Sequence, residues 1–533
     1  MRVVILLCLL AYWSPIEGFS LVRGVTRFAT HPGGLTTLRS APPATEGPSV
    51  TSSVGEEVFD KVAMKRKLDR EFATVALPAF VSLAADPLAS LVDAIYVARL
   101  GPVEQAAMGI AISAQFSIAK LYNDPLLKTS TSLVAGKEGD ALEGSVATAV
   151  VTAVVIGIIQ CVIFLFMGNT IMRGIGLKKD SEMLKPAVEY LKWRGFGVPA
   201  ATMLLVTNGI FRGRGDTTTP LYCTTFGNLL NIILDPILIF HCGMGCAGAG
   251  AATAISQWAS AIPLIYLLNK SVPIRIWGRS KAFFQEALSS YLAAGGLIFL
   301  RTVAKIAAYT VTSSAAARLG TVPMAAYSMT FNLGFATSQL CESVAIAGQA
   351  LLAREYPFTS AKRKSAARHV IRRCLVLGLL ISAALSTLTL FNQSSVLRKL
   401  TSSEEVFKAA EQIMPVVLVT QLFKGLAYST GGVILGGLDW FWSSLGMQIA
   451  AALAIGMVYV LPLSLWNIWA SLCVFMATQV LVSGYRIVSD KGPWAGLDIV
   501  GKDSEEGKGN SGGNSGSGSS VNNGGSSGVA VVA

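Results

Sequence analysis

The stretch ARLGPVEQAA at residues 98–107 recurs as ARLGTVPMAA at residues 317–326, displaced by 219 positions. A second match lies further along each half and is displaced by 223 positions, with Gly209, Gly213 and Asp216 corresponding to Gly432, Gly436 and Asp439. Two matches at nearly the same offset indicate an internal duplication. The alternative, small-residue packing motifs that coincide by chance, stays open at the level of sequence.

The composition places the duplicated units in a membrane. Of the 533 residues, 52% are hydrophobic and 14% are charged, whereas water-soluble domains carry about 25% charged residues. A single compact soluble domain is therefore excluded. We predict an all-α polytopic membrane protein with twelve transmembrane helices in two six-helix lobes. An even number of spans per half keeps both halves in one orientation, so a pseudo-two-fold axis along the membrane normal relates the lobes.

The predicted spans follow apolar runs that are long enough, at about 20 residues, to cross a bilayer. They lie near 73–98, 105–135, 145–171, 187–211, 219–241, 247–268, 288–314, 321–350, 370–391, 409–436, 441–463 and 465–487. The connecting segments on the side of the amino end hold about 21 Lys and Arg residues, against about 11 on the opposite side. Both termini should therefore face the compartment from which insertion begins.

The two ends of the chain have the composition of targeting and flexible segments. An apolar run behind Arg2 is typical of a signal peptide, and the following stretch, rich in Arg and hydroxyl residues, resembles a transit peptide. This bipartite leader predicts a plastid envelope protein, and a plain secretory leader to a plasma or endomembrane is the alternative. The predicted domains are a signal peptide (1–18), a transit-like and disordered segment (19–70), an amino-terminal lobe (71–270), an inter-lobe linker (271–286), a carboxyl-terminal lobe (287–490) and a disordered Gly/Ser-rich tail (491–533).

Ionisable residues within the predicted spans of the first half are candidates for a cation site. Each costs about 2.5 to 3.5 kcal/mol to place in hydrocarbon, so those present usually face a cavity or a partner. The first span contains Asp86 and Asp93, and the fifth contains Asn231 and Asp235, which share one helix face. Thr253 in the sixth span adds a hydroxyl. Together they predict a proton or sodium site; alternatively, Asp93 reaches water and Asn231 only cross-links helices.

The spans of the second half carry an excess of positive groups, with Arg301, Lys305, Glu342 and Lys424 as the ionisable members. Arg301 and Lys424 are candidates to receive an anionic substrate, because a guanidinium binds a carboxylate through two hydrogen bonds. Lys305 and Glu342 are expected to pair with each other, and a structural role for all four is the alternative. In the second span, Lys120 and Asn123 are predicted to line the opposing wall of the cavity.

Several motifs occur in one order from about residue 73 to residue 496. They are DPLASLVD (86–93), PLL (125–127), TSLVA (131–135), FRG (211–213), DTTTPL (216–221), NIILDP (231–236), AIAGQA (345–350) and GPW (492–494). This set resembles the multidrug and toxic compound extrusion family, MATE, and within it the plant plastid and citrate-transporting branch. The resemblance implies two six-helix lobes, cation-coupled antiport, and substrates from organic cations to citrate and aromatic acids. It also implies a cation site formed by Asp93, Asn231, Asp235 and Thr253.

Two departures from that branch fall in the tenth predicted span. Where the branch usually reads Gln-Pro-Ile-Asn, this chain has Gln421-Leu-Phe-Lys424, and Gly431 stands in place of the usual Asp before Gly432. Losing this Asp and gaining Lys424 weakens any cation site in the second lobe and favours coupling through the first. The same changes shift the expected substrate toward anions, with Gln421 and Lys424 on the cavity wall.

These observations predict a secondary active antiporter that exports organic anions, citrate-like or aromatic acids, or other small metabolites in exchange for protons. No cofactor and no metal site are expected, the coupling ion is a proton or sodium, and the partners are a small-molecule substrate and membrane lipid, without nucleic acid. The expected state is a monomer. Alternatives are sodium-coupled multidrug efflux of organic cations, a scaffold whose basic loop 362–373 binds anionic lipids, and an intramembrane enzyme. The enzyme is less favoured because no metal motif and no nucleophile beside a base is evident.

Overall fold

The computed structural model describes residues 62–83, 96–97, 99–174, 177, 179–274, 281–401, 403–497 and 499. Within these ranges the chain folds into helices and contains no strand. The predicted signal and transit segments before residue 62, the tail after residue 500, and both Asp86 and Asp93 lie outside the described residues. The all-α prediction is confirmed for the remainder.

The first half of the chain forms helices that overlap the first six predicted spans. They are α1 (62–83), α2 (Pro102–Val134), α3 (Gly139–Gly174), α4 (Leu184–Gly213), α5 (Thr218–Pro236) and α6 (Gly245–Ser271). After Pro236, α5 continues for one π-helical turn, Ile237–His241, in which the Cys242 amide donates to the Ile237 carbonyl at 2.8 Å. A proline lacks the amide that the α-helical ladder needs, so this change of helix type begins directly behind it.

The second half repeats this order with one short extra helix. Its helices are α7 (Lys281–Arg318), α8 (Thr321–Glu355), α9 (Ala361–Phe391), α10 (Gln393–Leu400), α11 (Glu404–Gly436), α12 (Trp440–Val460) and α13 (Leu465–Val488). Serine hydroxyls cap three of these helices by accepting a backbone amide of the first turn, at Ser360, Ser403 and Ser464. Eight of the described helices have the length and hydropathy to cross a membrane. The count of twelve spans stays a prediction.

Helix packing confirms the duplication. In the first half α4 packs against α2, α3 and α6, and in the second half α11, at the equivalent position, packs against α8, α9 and α13. The repeated glycines make the closest approaches in both halves. A side chain on Gly213 would collide with the Thr131 backbone of α2, and one on Gly436 would come within 2.9 Å of the Gln349 carbonyl of α8. The same backbone contact is therefore built twice.

Substituting one of these glycines should destabilise the protein. For Gly213→Ala we expect a loss of about 1–3 kcal/mol, because the obstructing atoms belong to backbone and cannot rotate away. Gly456→Ala is the matched control, since that glycine is exposed on α12 and nothing in the described structure lies within 4 Å of an added Cβ. The midpoint of thermal unfolding in detergent measures both. Equal midpoints would contradict the close approach of α4 to α2.

The segment before the predicted first span is helical, so the prediction of disorder is wrong for residues 62–70. In α1, Leu68, Phe72, Val75 and Ala79 form a stripe at helical spacing that is buried against α8 and α9 of the second half. The charged residues of this segment lie around that stripe and form ion pairs. Glu71 contacts Arg354 at 2.7 Å.

A second ion pair reinforces this contact between α1 and α9. Arg373 donates through Nε and Nη2 to the two oxygens of Asp69, at 2.8 and 2.6 Å, and His369 Nε2 lies 2.7 Å from Asp69 Oδ1. Partial burial acts to raise the pKa of Asp69, but the hydrogen bonds from Arg373 and His369 outweigh it and hold that pKa below its usual value. The start of α1 is thereby fastened to the second half.

Two further domain limits differ from the prediction. The helix α7 begins at Lys281, inside the predicted linker 271–286. Residues 491–497 of the predicted tail are folded: Gly492–Trp494 forms a 3₁₀ turn, and the fully buried Trp494 donates through Nε1 to Asp439 Oδ2 at 3.1 Å. An aromatic ring that covers apolar surface holds this segment against the bundle, which its glycine-rich continuation could not do.

The helix α7 joins the cores of the two halves. Tyr291 and Ala294, in its first part, pack with α3 and α4 of the first half, whereas Ala308 and Ala315, further along, pack in the second half. The middle of α7 therefore lies at the boundary between the lobes. A cavity lies at this boundary.

Candidate substrate cavity and coupling site

An open cavity lies where α7, α8, α11, α12 and α13 meet α2. Its polar lining consists of Lys128, Arg301, Lys305, Glu342, Gln349 and Gln479. Its apolar and aromatic lining includes Tyr309, Tyr428, Met447, Phe475 and Met476.

Ion pairs between the lobes surround one side of the cavity. Lys305 of α7 donates to Asp124 of α2 at 2.7 Å. Lys128 of α2 lies 3.6 Å from Asp124 and 3.6 Å from Glu342 of α8. Asp124 and Lys128 are four residues apart and share a face of α2, so both point to the same boundary. Each carboxylate therefore contacts at least one ammonium group.

Arg301 differs from these charges. Its side chain is 9% exposed and lines the cavity, and within the described part of the chain it makes no hydrogen bond and no ion pair. Its charge attracts Asp124 through space, but that carboxylate is engaged by the two lysines. The guanidinium lies beside Gly431 of α11, where an added Cβ would be 3.3 Å from Nη2. A buried cation without a hydrogen-bonded partner is costly, which points to a binding role.

Hydrogen bonds between the lobes close the cavity at the carboxyl-terminal parts of α2 and α8. Gln349 Nε2 donates to Ser132 Oγ at 2.8 Å and to the Lys128 carbonyl at 3.1 Å. Ser132 Oγ donates in turn to the Leu435 carbonyl of α11 at 3.0 Å. These bonds must break if the two lobes separate on that side.

The predicted cation site lies in the first half. Asn231 Nδ2 donates to Asp235 Oδ1 at 3.2 Å, and both side chains are buried in α5. The helices α5 and α6 run antiparallel, since Gly227 meets Ser260 and Gly248 meets the backbone of Leu238. Thr253 therefore lies at a depth between Asn231 and Asp235, with its hydroxyl donating to the Ala249 carbonyl at 2.9 Å.

Comparison with known proteins identifies the family. The MatE family model matches residues 78–237 and 298–461, one segment in each half. The chain belongs to the MATE family. Protein DETOXIFICATION 44, chloroplastic, of Arabidopsis thaliana is 34% identical over 443 residues, which cover 80% of this chain and 84% of the relative. Protein DETOXIFICATION 45, chloroplastic, of the same plant is 32% identical, covering 82% and 81%.

Solved structures agree on the fold. A MATE crystal structure in the bent conformation superposes with a TM-score of 0.71 at 19% identity, covering 80% of this chain and 98% of that one. The sequence-based resemblance to MATE proteins and the two-lobe fold are thus confirmed. This MATE chain is an integral membrane protein and an extrusion transporter, not an enzyme.

The structure brings some of the predicted substrate residues of this MATE chain together and separates others. Arg301 and Glu342 line the cavity, whereas Gln421 and Lys424 are absent from its lining. Lys424 is buried one helical turn from the lining residue Tyr428 and donates to the Gly334 carbonyl at 3.0 Å. Gln421 is also buried, and its side chain lies beside Gly334.

Two members of the predicted set, Asn123 and Lys120, belong to α2. Asn123 is half-buried and directly precedes Asp124. The side chain of Lys120 lies outside the described residues, as does the whole of Asp93. The predicted pairing of Lys305 with Glu342 is wrong, because Lys305 pairs with Asp124 and Glu342 with Lys128. The nearer partners come from α2 of the other half.

Among the polar residues at the MATE cavity, sequence reasoning missed Asp124, which pairs with two of the lining lysines, and the lining residues Lys128 and Gln349. A signal for the first two was present, since they form an oppositely charged pair with a spacing of four inside the predicted second span. Gln349 carried no comparable signal. Its importance depends on Ser132, which is 217 positions away in sequence.

Proposed function

We propose that this MATE chain exchanges small organic anions for protons across a plastid envelope membrane. The observation that carries this proposal is the buried Arg301 guanidinium, which faces the cavity between the lobes without a hydrogen-bonded partner among the described residues. A carboxylate on the substrate supplies that partner, and its two oxygens match the geometry of a guanidinium.

The charge around the cavity supports an anion over an organic cation. Among the described side chains, the cations Lys128, Arg301 and Lys305 outnumber the carboxylates Asp124 and Glu342 by one. In a poorly hydrated cavity an excess positive charge repels a cationic ligand and attracts an anionic one.

The buried pair in α5 supports coupling through the first lobe. Asp235 is fully buried, and Asn231 donates to it, so the site changes its net charge when a proton binds or leaves. Asp93 and Thr253 are the further members of the proposed site. Protonation there favours one arrangement of the lobes and anion binding favours the other, so each ligand promotes release of its competitor.

The plastid location is supported by the two Arabidopsis relatives, which are both described as chloroplastic. The transit-like composition of the amino end of this chain is consistent with the same destination. A fluorescent fusion at the carboxyl end, which leaves the leader free, tests the location.

Uptake into proteoliposomes under an imposed pH gradient tests the function. Radiolabelled citrate, aromatic carboxylates and organic cations are compared in parallel with purified wild-type protein. We expect at least one organic anion to be taken up at a rate that rises with the gradient, while the organic cations remain at the level of empty vesicles. Uptake of cations alone, or a requirement for sodium at fixed pH, would overturn the proposal.

A further inference from the structure

A basic surface lies at the end of the molecule where α1 and α9 begin. Residues 62–71 and 354–373 contain eleven Lys and Arg residues but only three Asp and Glu residues. The two segments are adjacent in the structure, because Arg373 of α9 pairs with Asp69 of α1 at 2.6 Å. Their charges therefore belong to one surface, which we call the α1/α9 surface.

The acidic residues of the α1/α9 surface do not balance its positive charge. Asp69 is held by Arg373, and both Glu71 and Glu355 contact Arg354. Within the described part of the chain, five further basic side chains are exposed and make no hydrogen bond and no ion pair: Lys65, Arg66, Arg70, Lys362 and Arg363. The surface thus presents several unmatched positive charges to its surroundings.

The α1/α9 surface lies at the level of the lipid headgroups. Further along both helices, exposed apolar side chains replace the charged ones, at Leu77 in α1 and at Val376 in α9. The helix α9 has the length and hydropathy of a membrane span and contains no acidic residue. Because headgroups lie directly outside the hydrocarbon, basic residues one or two turns before lipid-facing apolar residues meet those headgroups.

The duplication does not account for this charge. The helices α3 and α9 are equivalent, since α3 packs against α4 as α9 packs against α11. Residues 132–151, which lead into α3, contain one Lys and three acidic residues, whereas residues 354–373 contain seven Lys and Arg residues and one acidic residue. An orientation signal requires an excess of positive charge at this end of the molecule but does not require it in one place. The concentration at α9 and α1 therefore points to a local partner.

We propose that the α1/α9 surface binds anionic lipid headgroups of the surrounding membrane. The exposed lysines and arginines donate to the headgroup oxygens, and the acyl chains lie along the lipid-facing side chains of Leu77 and Val376. Because α1 and α9 come from different halves of the chain, lipids bound here contact both halves and stabilise the docking of α1. This inference is independent of the transported substrate.

Native mass spectrometry of the purified full-length protein, titrated with lipid, tests the partner. The probes are phosphatidylglycerol, phosphatidylcholine with the same acyl chains, and glycerol 3-phosphate, which carries an anionic group without the chains. Each basic residue near an anionic headgroup strengthens binding about fivefold. With three such contacts we expect phosphatidylglycerol to bind about a hundredfold more tightly than phosphatidylcholine. Glycerol 3-phosphate at the same concentration should not displace it.

Two triple variants locate the binding. The first combines Arg66→Gln, Lys362→Gln and Arg363→Gln, which removes three exposed charges of the α1/α9 surface. The matched control replaces with Gln three exposed lysines near the starts of α4 and α11, at the opposite end of the helices: Lys185, Lys192 and Lys408. We expect the first variant to bind phosphatidylglycerol about a hundredfold more weakly than the wild type, and the control to bind it as the wild type does. The unfolding midpoints of all three proteins show that folded chains are compared.

Three results would overturn the inference. Equal affinities for phosphatidylglycerol and phosphatidylcholine would show that headgroup charge is not recognised. Displacement of the lipid by glycerol 3-phosphate would assign a soluble anion to the α1/α9 surface. If both triple variants lose the same affinity, the lipid responds to the net charge of the protein and not to this surface. None of these measurements involves transport, so a failure here is distinct from a failure of the proposed function.

Discussion

Replacing Arg301 with Gln should reduce the affinity for the transported anion about a hundredfold, because truncating one partner of a buried charged hydrogen bond costs about 2–5 kcal/mol. Arg301 is a cavity cation that has neither a hydrogen bond nor an ion pair within the described structure. The glutamine retains a hydrogen-bond donor but is two bonds shorter and carries no charge. The measurement is the concentration dependence of anion uptake into proteoliposomes.

Arg301→Lys is the matched variant that preserves the charge. The Lys variant should bind the anion about tenfold more weakly than the wild type. An ammonium group is a point charge and does not bind both carboxylate oxygens in a fixed geometry. Neither substitution should lower the unfolding midpoint, because the Arg301 side chain makes no hydrogen bond or ion pair within the described structure that either change would break. If the Gln variant transports anions with unchanged affinity, Arg301 is not the anion-binding group.

Replacing Asp235 with Asn should abolish the acceleration of uptake by a pH gradient. Asp235 is fully buried and accepts a hydrogen bond from Asn231. An amide of the same size cannot gain or lose a proton near neutral pH, so the site would remain in one charge state. Exchange driven by the anion concentration should persist. Uptake at several imposed pH gradients, at constant anion concentration, measures the effect.

Asp216→Asn, just before the start of the same helix, is the control for this substitution. Asp216 accepts the backbone amides of Thr218 and Thr219 at the start of α5, each at 2.9 Å. Asn is nearly as good as Asp at such a position, so this variant should keep the pH dependence of the wild type. If uptake by the Asp235→Asn variant responds to the pH gradient as uptake by the wild type does, protons are coupled at another site.

The sequence predicted most of the helices because each span carries its own signal, an apolar run between breakers. The glycine pairs such as Gly209 and Gly432 also identified the duplication, since close helix packing requires a small residue at a particular place. The start of α1 was missed for a physical reason. Its charges surround a stripe of Leu68 and Phe72, and the partner of that stripe is in the other half of the chain.

The candidate site was predicted less completely. Arg301 stood out because an ionisable residue in a span is conspicuous by itself. Asp124 and Glu342 take their partners across the lobe boundary, and helical periodicity does not specify which spans are neighbours. Lys424 lies on the same face of α11 as the cavity residue Tyr428, one helical turn away. At that turn α8 packs over Lys424, which donates to the Gly334 carbonyl. Helical periodicity predicts which face of a helix a residue occupies. It does not predict whether a neighbouring helix covers that residue.

The central claim is that an organic anion and a proton move in opposite directions through one molecule. The most direct test records both fluxes at once, with a radiolabelled aromatic carboxylate and a pH-sensitive dye enclosed in proteoliposomes that contain the wild-type protein. We expect anion entry to be accompanied by proton exit in a constant ratio, and an outward proton gradient to accelerate it. Anion entry with no change in internal pH would contradict the account.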